Sequence, residues 1–325
     1  MKDRVFGKTG WRISEVGFGC WGVGGGWGPR DDGEAEAALR RALELGVNFF
    51  DTAYVYGNGH SERLLGSVLK GSKRPFFVAT KVPSKNMEWP AHPKTPISKA
   101  FPADWIIACT ETSLKRLGLE RIDLQQLHVW TDAWVETEEW RRAVERLKQD
   151  GKIRAFGVSV NDHEPGSVLK LAATGLIDSV QVIYNLFEQF PADRLFPICQ
   201  EQGVGVIARV PFDEGALTDS ITPETRFPRG DWRAGYFRGE RLIETCKRAE
   251  RLKPFLRAGL PDLPTLALKF VLAHPAVSTV IPGMRRRSHV EANCAAAEGS
   301  GLTGEELERL KVHAWPRNFY VGAWD

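Results

Sequence analysis

A carboxylate and a phenol lie five residues apart in the run Asp51-Thr52-Ala53-Tyr54-Val55-Tyr56-Gly57, directly after the apolar stretch Val47-Asn48-Phe49-Phe50. That stretch reads as a short buried strand, and two groups just past a strand end can converge in one pocket. A phenol, with an ordinary pKa of about 10, does acid–base work when a nearby cation stabilises its charged form. Lys81 is such a cation, placed after the strand-like Phe76-Phe77-Val78. A third strand-like run, Ile122 to Leu127, ends in His128. Singly, each residue has an ordinary explanation: Asp51 a helix cap, Lys81 a solvated charge, Tyr56 core, His128 a satisfied strand-end histidine. Jointly they point to one site, because barrel enzymes draw catalytic groups from the ends of different strands at one face.

Short strand-like runs alternate with helix-like runs along the chain, the pattern of parallel βαβ units. Candidate strands are Glu15–Gly19, Val47–Asp51, Phe76–Thr80, Ile122–His128, Ala155–Ser159, Ser179–Val182, Val204–Ala208 and Ser278–Ile281. The expected fold class is α/β, a (β/α)8 TIM barrel, for which 325 residues allow about 250 for the barrel plus insertions. Between strands, Trp140, Ala143, Val144 and Leu147 repeat at helical spacing before Gly151, and Ala38, Leu39, Ala42 and Leu45 do so before Gly46. Val5 to Ile13 reads as an N-terminal β-hairpin capping one barrel end. Two long βα loops follow the strands, Pro83–Phe101 and Pro211–Gly239, where barrels build substrate pockets. Glu240 to Arg257 reads as an extra helix, and with no linker or repeat the expectation is one domain over residues 1–325.

The balance of 44 basic against 41 acidic residues, net +3, with no basic run longer than Arg285-Arg286-Arg287, argues against nucleic-acid or membrane-surface partners. Cys20, Cys109, Cys199, Cys246 and Cys294 are widely spaced and odd in number, as expected for reduced thiols. With no signal-peptide pattern and no spanning apolar run, the expected location is cytoplasmic. The oligomeric state is left open. None of the seven histidines has a partner at metal-ligand spacing, so no metal is expected.

The stretch Asp51 to Gly66, with Gly46-Val47-Asn48 before it and the strand ends Lys81 and Gln126-Leu127-His128, resembles the aldo-keto reductase family, whose active site is an Asp-Tyr-Lys-His tetrad. The resemblance covers about Arg4 to Asn293. It implies that Tyr56 is the general acid, that Lys81 lowers its pKa, that Asp51 holds Lys81, and that His128 orients the carbonyl. Hydride addition to a carbonyl leaves charge on oxygen, and side chains supply no hydride, so a reduced nicotinamide is implied. NADPH is the expected cofactor and NADH is possible. A small-molecule carbonyl compound, sugar-derived ones included, is the expected substrate. An alternative within the same fold is a cofactor-loaded sensor with little turnover, similar to potassium-channel β subunits.

The resemblance also implies the cofactor's surroundings. Gly19, Cys20, Trp21 and Asp51 border the nicotinamide, while Ser159, Asn161 and Gln181 approach its carboxamide. Val160 stands where the family has Asn, and Asn161 comes one residue late. Arg209, in Arg209-Val210-Pro211-Phe212, replaces the family's stacking aromatic. Its guanidinium either stacks on the ring or turns away to pair with Asp213 or Glu214. Gly215, Ala216 and Leu217 cover the pyrophosphate. Gly283, Met284, Arg285, His289 and Asn293 form the adenosine end, where Arg285 to Arg287 either meet a 2′-phosphate or are solvated. Ala292 replaces the family's Glu, with Glu291 displaced. Trp21, Trp89 and Trp130 are candidates for a substrate wall beside Tyr56 and His128, and the aromatic tail Trp315 to Trp324 is expected to dock.

Two other patterns fail. Gly17 to Gly22 matches a dinucleotide-binding fingerprint, yet the glycine-rich Val23 to Pro29 cannot open the helix that it needs. The chain also contains no Tyr-x-x-x-Lys.

Overall fold

The computed structural model describes residues 1–25 and 30–321. Trp324 and the segment 26–29 of the glycine-rich loop therefore lie outside the described residues. Strands β1 (Asp3–Phe6) and β2 (Trp11–Ser14) form the antiparallel hairpin. Eight parallel strands follow, paired in sequence order: β3 (Phe18–Gly19), β4 (Phe49–Asp51), β5 (Phe77–Val82), β6 (Ile122–Leu127), β7 (Ile153–Ser159), β8 (Ser179–Ile183), β9 (Gly205–Arg209) and β10 (Val277–Val280). β8 is buried at every position, as parallel strands covered by helices on one side and a barrel core on the other must be.

The sheet closes between its first and last strands. Gly17 N donates to Val280 O at 2.8 Å, Val280 N to Glu15 O at 2.9 Å, and Gly19 N to Pro282 O at 3.1 Å. A β-carbon at Gly19 would stand 2.7 Å from Ile281 O, so this seam needs glycine. The expected strand over Glu15–Gly19 is regular only at Phe18–Gly19, because the seam twists its start into a single bridge at Val16.

Helices cover the outside as their sequence pattern requires. Helix Glu138–Gln149 buries Trp140, Ala143, Val144 and Leu147, with acidic residues in its first turn and Arg146 and Lys148 in its last. Helix Asp32–Glu44 starts where Asp31 accepts Glu34 N at 3.0 Å. Inside the barrel, Phe49, Ala79, Leu124, Ala155, Ile207 and Ile281 pack with Phe6 and Ile13, so the hairpin plugs the end opposite the strand C-termini. The extra helix spans Glu240–Glu250. The tail docks: Trp315 N donates to Phe187 O at 2.8 Å, and Arg241 reaches Phe319 O at 3.1 Å. No helix among the described residues is long and apolar enough to cross a membrane.

Candidate functional site

Asp51 ends β4, Lys81 lies next to the end of β5, His128 follows β6, and Tyr56 sits in the turns before helix His60–Leu69. Parallel register sets Asp51 beside Ala79 and Lys81 beside Gln126, which brings the three strand ends to one level. Lys81 Nζ donates to Asp51 Oδ1 at 2.5 Å, to Thr52 O at 2.8 Å and to Tyr56 Oη at 3.4 Å. The other Asp51 oxygen accepts from Gln181 Nε2 at 2.7 Å and Gln126 Nε2 at 3.4 Å. The Tyr56 and His128 rings are 5.8 Å apart, and each carries an indole edge-on at 4.9 Å, Trp21 on Tyr56 and Trp89 on His128.

All four groups are buried, and burial governs their protonation. Desolvation alone would lower the pKa of Lys81, but Asp51 and Tyr56 outweigh it, so the net direction is up and the ammonium persists. Tyr56 differs from expectation. Desolvation raises its pKa, Lys81 lowers it, and the net direction is up. The cation acts in the expected sense and is overtaken by burial. Desolvation, then Lys81 and Arg209, hold His128 well below its usual value, so its ring is neutral and has one nitrogen to donate.

Asp51, Tyr56 and His128 line a cavity of about 930 Å³, while Lys81 is buried out of it. Trp21 and Trp89 wall it beside Tyr56 and His128, and Gly19 and Gln181 line it next to Asp51; Val55, Met87, Ser159, Arg209, Val210, Pro211, Phe212, Gly215, Gly283, Arg285, Arg286, His289, Ala292 and Asn293 continue the lining. The expected residues from three distant parts of the chain thus share one continuous space.

Six expected contacts do not line it. Trp130 is fully buried among Trp134 and Trp140, both at 5.7 Å, because the chain turns inward after His128. Asn161 spends its amide on the backbone of Ala91, in both directions at 3.1 Å, and on Glu164. The one-residue delay after Ser159 gives it to the 83–101 loop instead of the cavity. Cys20 is buried with its thiol on Phe18 O, and burial pushes its pKa up. Ala216, Leu217 and Met284 pack into the core. Arg287 also points outward, exposed and 3.8 Å from Glu291, which itself pairs with Arg41 at 2.9 Å.

Arg209 neither pairs with Asp213 or Glu214 nor stands alone. Its Nη2 donates to Asp162 Oδ1 at 2.7 Å and to Val160 O at 3.0 Å. The two acids are engaged by the tail: Asp213 accepts from Arg317 and Tyr236, and Glu214 from Tyr320. Val210, Asp213 and Glu214 hold left-handed backbones, φ 55°, 47° and 56°. A β-branched residue in that region is strained, and the docked tail braces this turn.

Asp162 and Tyr320 line the cavity without having been singled out from sequence, and Glu214 lines it too, where the sequence offered it only as a partner for Arg209. For Asp162 a signal existed, its place just past the Ser159 strand end. For Tyr320 the aromatic tail gave only a general hint. Burial pushes Glu214 up to about 7, with Tyr320 opposing.

The part of the lining that carries Arg285, Arg286 and Asn293 has the chemistry to hold an adenosine-type group. Asn293 Nδ2 is buried there with no hydrogen-bond partner among the described residues, beside the cationic Arg285 and Arg286. Buried donors are rarely left unmet, and an acceptor on a bound group would satisfy this one. A nicotinamide dinucleotide would reach from Gln181 and Ser159 to Asn293, and the residues present fit it.

The sequence model of the aldo/keto reductase family matches residues 15–314. The chain is 32% identical over 321 residues to the uncharacterized oxidoreductase YqkF of Bacillus subtilis, covering 96% of each protein. It is 28% identical over 309 residues to an NADH-specific methylglyoxal reductase of Escherichia coli, covering 91% of this chain and 93% of that protein. Among solved structures, an aldo-keto reductase of Bacillus halodurans in its holo form superposes with a TM-score of 0.76 and 30% identity, over 97% of this chain and 96% of that one.

Proposed function

This chain belongs to the aldo/keto reductase family, and from that premise we propose that it reduces an aldehyde or ketone to the alcohol with a nicotinamide cofactor. The observation that carries the reading is the buried cluster in which Lys81 Nζ meets both Asp51 and Tyr56, with His128 beside them in the cavity wall.

Tyr56 Oη gives its proton to the carbonyl oxygen as charge develops there. Its pKa, raised by burial, keeps it protonated and ready to donate at neutral pH. Lys81 stabilises the phenolate that remains, and Asp51 keeps Lys81 charged and in place. The neutral His128 donates a hydrogen bond to the same oxygen and fixes its position. Ser159 and the Gln181 side chain would hold the nicotinamide end, the nitrogen of Gln181 being spent on Asp51. When bound, the reduced nicotinamide supplies the hydride.

For the cofactor we favour NADP(H), because Arg285 and Arg286 line the cavity at the adenosine end, where a 2′-phosphate would meet them. The E. coli relative's name points to NADH, so a direct comparison is decisive. Aldehydes, ketones and sugars screened against NADPH and NADH, with reduced-nicotinamide absorbance as readout, test the function. Turnover of a carbonyl compound is expected. Binding of either cofactor with no turnover across the set would refute it.

A further inference from the structure

We propose that Asp162 is a positioning and specificity-determining residue, which fixes Trp89 over His128 and so gives the site a preference for carbonyl substrates carrying a planar ring. The inference rests on the carbonyl-reductase reading above. Asp162 joins three parts of the chain. Its Oδ1 accepts from Arg209 and its Oδ2 from Trp89 Nε1, both at 2.7 Å, and its backbone oxygen accepts from Asn318 of the tail at 3.1 Å. Trp89 lies on a long loop and is 44% exposed, so packing alone leaves its indole free to swing. A charge-assisted bond to a carboxylate removes that freedom. Arg209, buried against the same carboxylate, fixes its orientation.

The consequence is a shaped compartment. Trp89 and Trp21 line the cavity on either side of the paired Tyr56 and His128 rings. Two indoles flanking the reacting position add contact area for a flat ring and little for a three-carbon chain. Replacing Asp162 by Asn leaves one acceptor oxygen for two donors, so Trp89 or Arg209 must lose its partner.

The test uses the full chain with benzaldehyde and glyceraldehyde as probes. Asp162→Asn should lower the ratio of kcat/KM for benzaldehyde over glyceraldehyde by about tenfold or more, as expected for loss of a hydrogen bond to a charged group. Trp89→Phe keeps a ring but not the N–H, and should lower the ratio similarly. The double variant should fall no further than Asp162→Asn alone. A purely structural role would depress both substrates alike, and that outcome, or a ratio unmoved in Trp89→Phe, overturns the proposal. Trp89→Phe alters an exposed loop residue, so it decides the matter even if Asp162→Asn fails to fold. Fluorine NMR of fluorotryptophan-labelled protein gives a readout independent of turnover, with the Trp89 resonance assigned by its loss in Trp89→Phe. Asp162→Asn should shift and broaden that resonance, and an unmoved resonance in folded protein overturns the proposal. Wild type that reduces neither these probes nor the wider carbonyl set refutes the reductase reading, while the Trp89 resonance still reports on Asp162.

Discussion

Removing either partner of the Asp51–Lys81 pair should cost far more than removing both. The two side chains are at most 3% exposed and 2.5 Å apart. At an effective dielectric of about 20, unit charges about 4 Å apart attract by about 4 kcal/mol. Asp51→Asn leaves the ammonium with Thr52 O and Tyr56 Oη but no counter-ion, a loss of about 3–5 kcal/mol. Lys81→Met leaves a carboxylate still held by Gln181 and Gln126, so its loss should be smaller, about 2–3 kcal/mol, since each amide donor is worth about 1 kcal/mol. The double variant, with no net buried charge, should recover most of the loss. Urea unfolding of the four proteins measures this cycle, and a coupling of at least about 2 kcal/mol is expected. Activity should behave differently: both variants carrying Lys81→Met should turn over at least about 100-fold more slowly, because the cation that chiefly opposes the burial raising Tyr56 is then gone. Additive stability losses, within about 0.5 kcal/mol, would refute the claim that the two charges form one unit.

Tyr56→Phe should lower kcat by at least about 100-fold with cofactor affinity retained, measured by stopped-flow turnover beside fluorescence titration; Tyr54→Phe, whose ring packs on Arg116 outside the cluster, is the control, and a larger loss there would move the acid to Tyr54. Arg285→Ala should weaken NADPH about tenfold to hundredfold and NADH much less, by titration of each cofactor, and equal losses would count against a 2′-phosphate contact. Glu214 gives a pH signature. A carboxyl raised from 4.5 to about 7 keeps, when folded, a proton that the unfolded chain has released. Its contribution to stability therefore falls as pH rises between those values and is level above them. Wild type minus Glu214→Gln should show that fall, on the order of 3 kcal/mol, in denaturation midpoints taken across the range, and a flat difference would show that Glu214 ionises freely in the folded protein.

Much of the site is legible in the chain itself. Strand and helix periods are local properties, so the ends of β4, β5 and β6, and with them Asp51, Lys81 and His128, follow from runs of a few residues. Parallel order around a barrel then brings them together, because successive strands have few other ways to pair. Side-chain direction beyond the strand ends is another matter. Trp89 and Trp130 look alike in sequence, yet one lines the cavity and the other is core, since which way a loop turns depends on what packs over it. Asn161 finds its partner 70 residues away and Arg209 its partner 47 away, and neither distance has any period to betray it. The pKa of Tyr56 is of the same kind. The sequence supplied the cation that lowers it, but burial is a sum over the whole folded environment, and only the tertiary structure decides that burial wins.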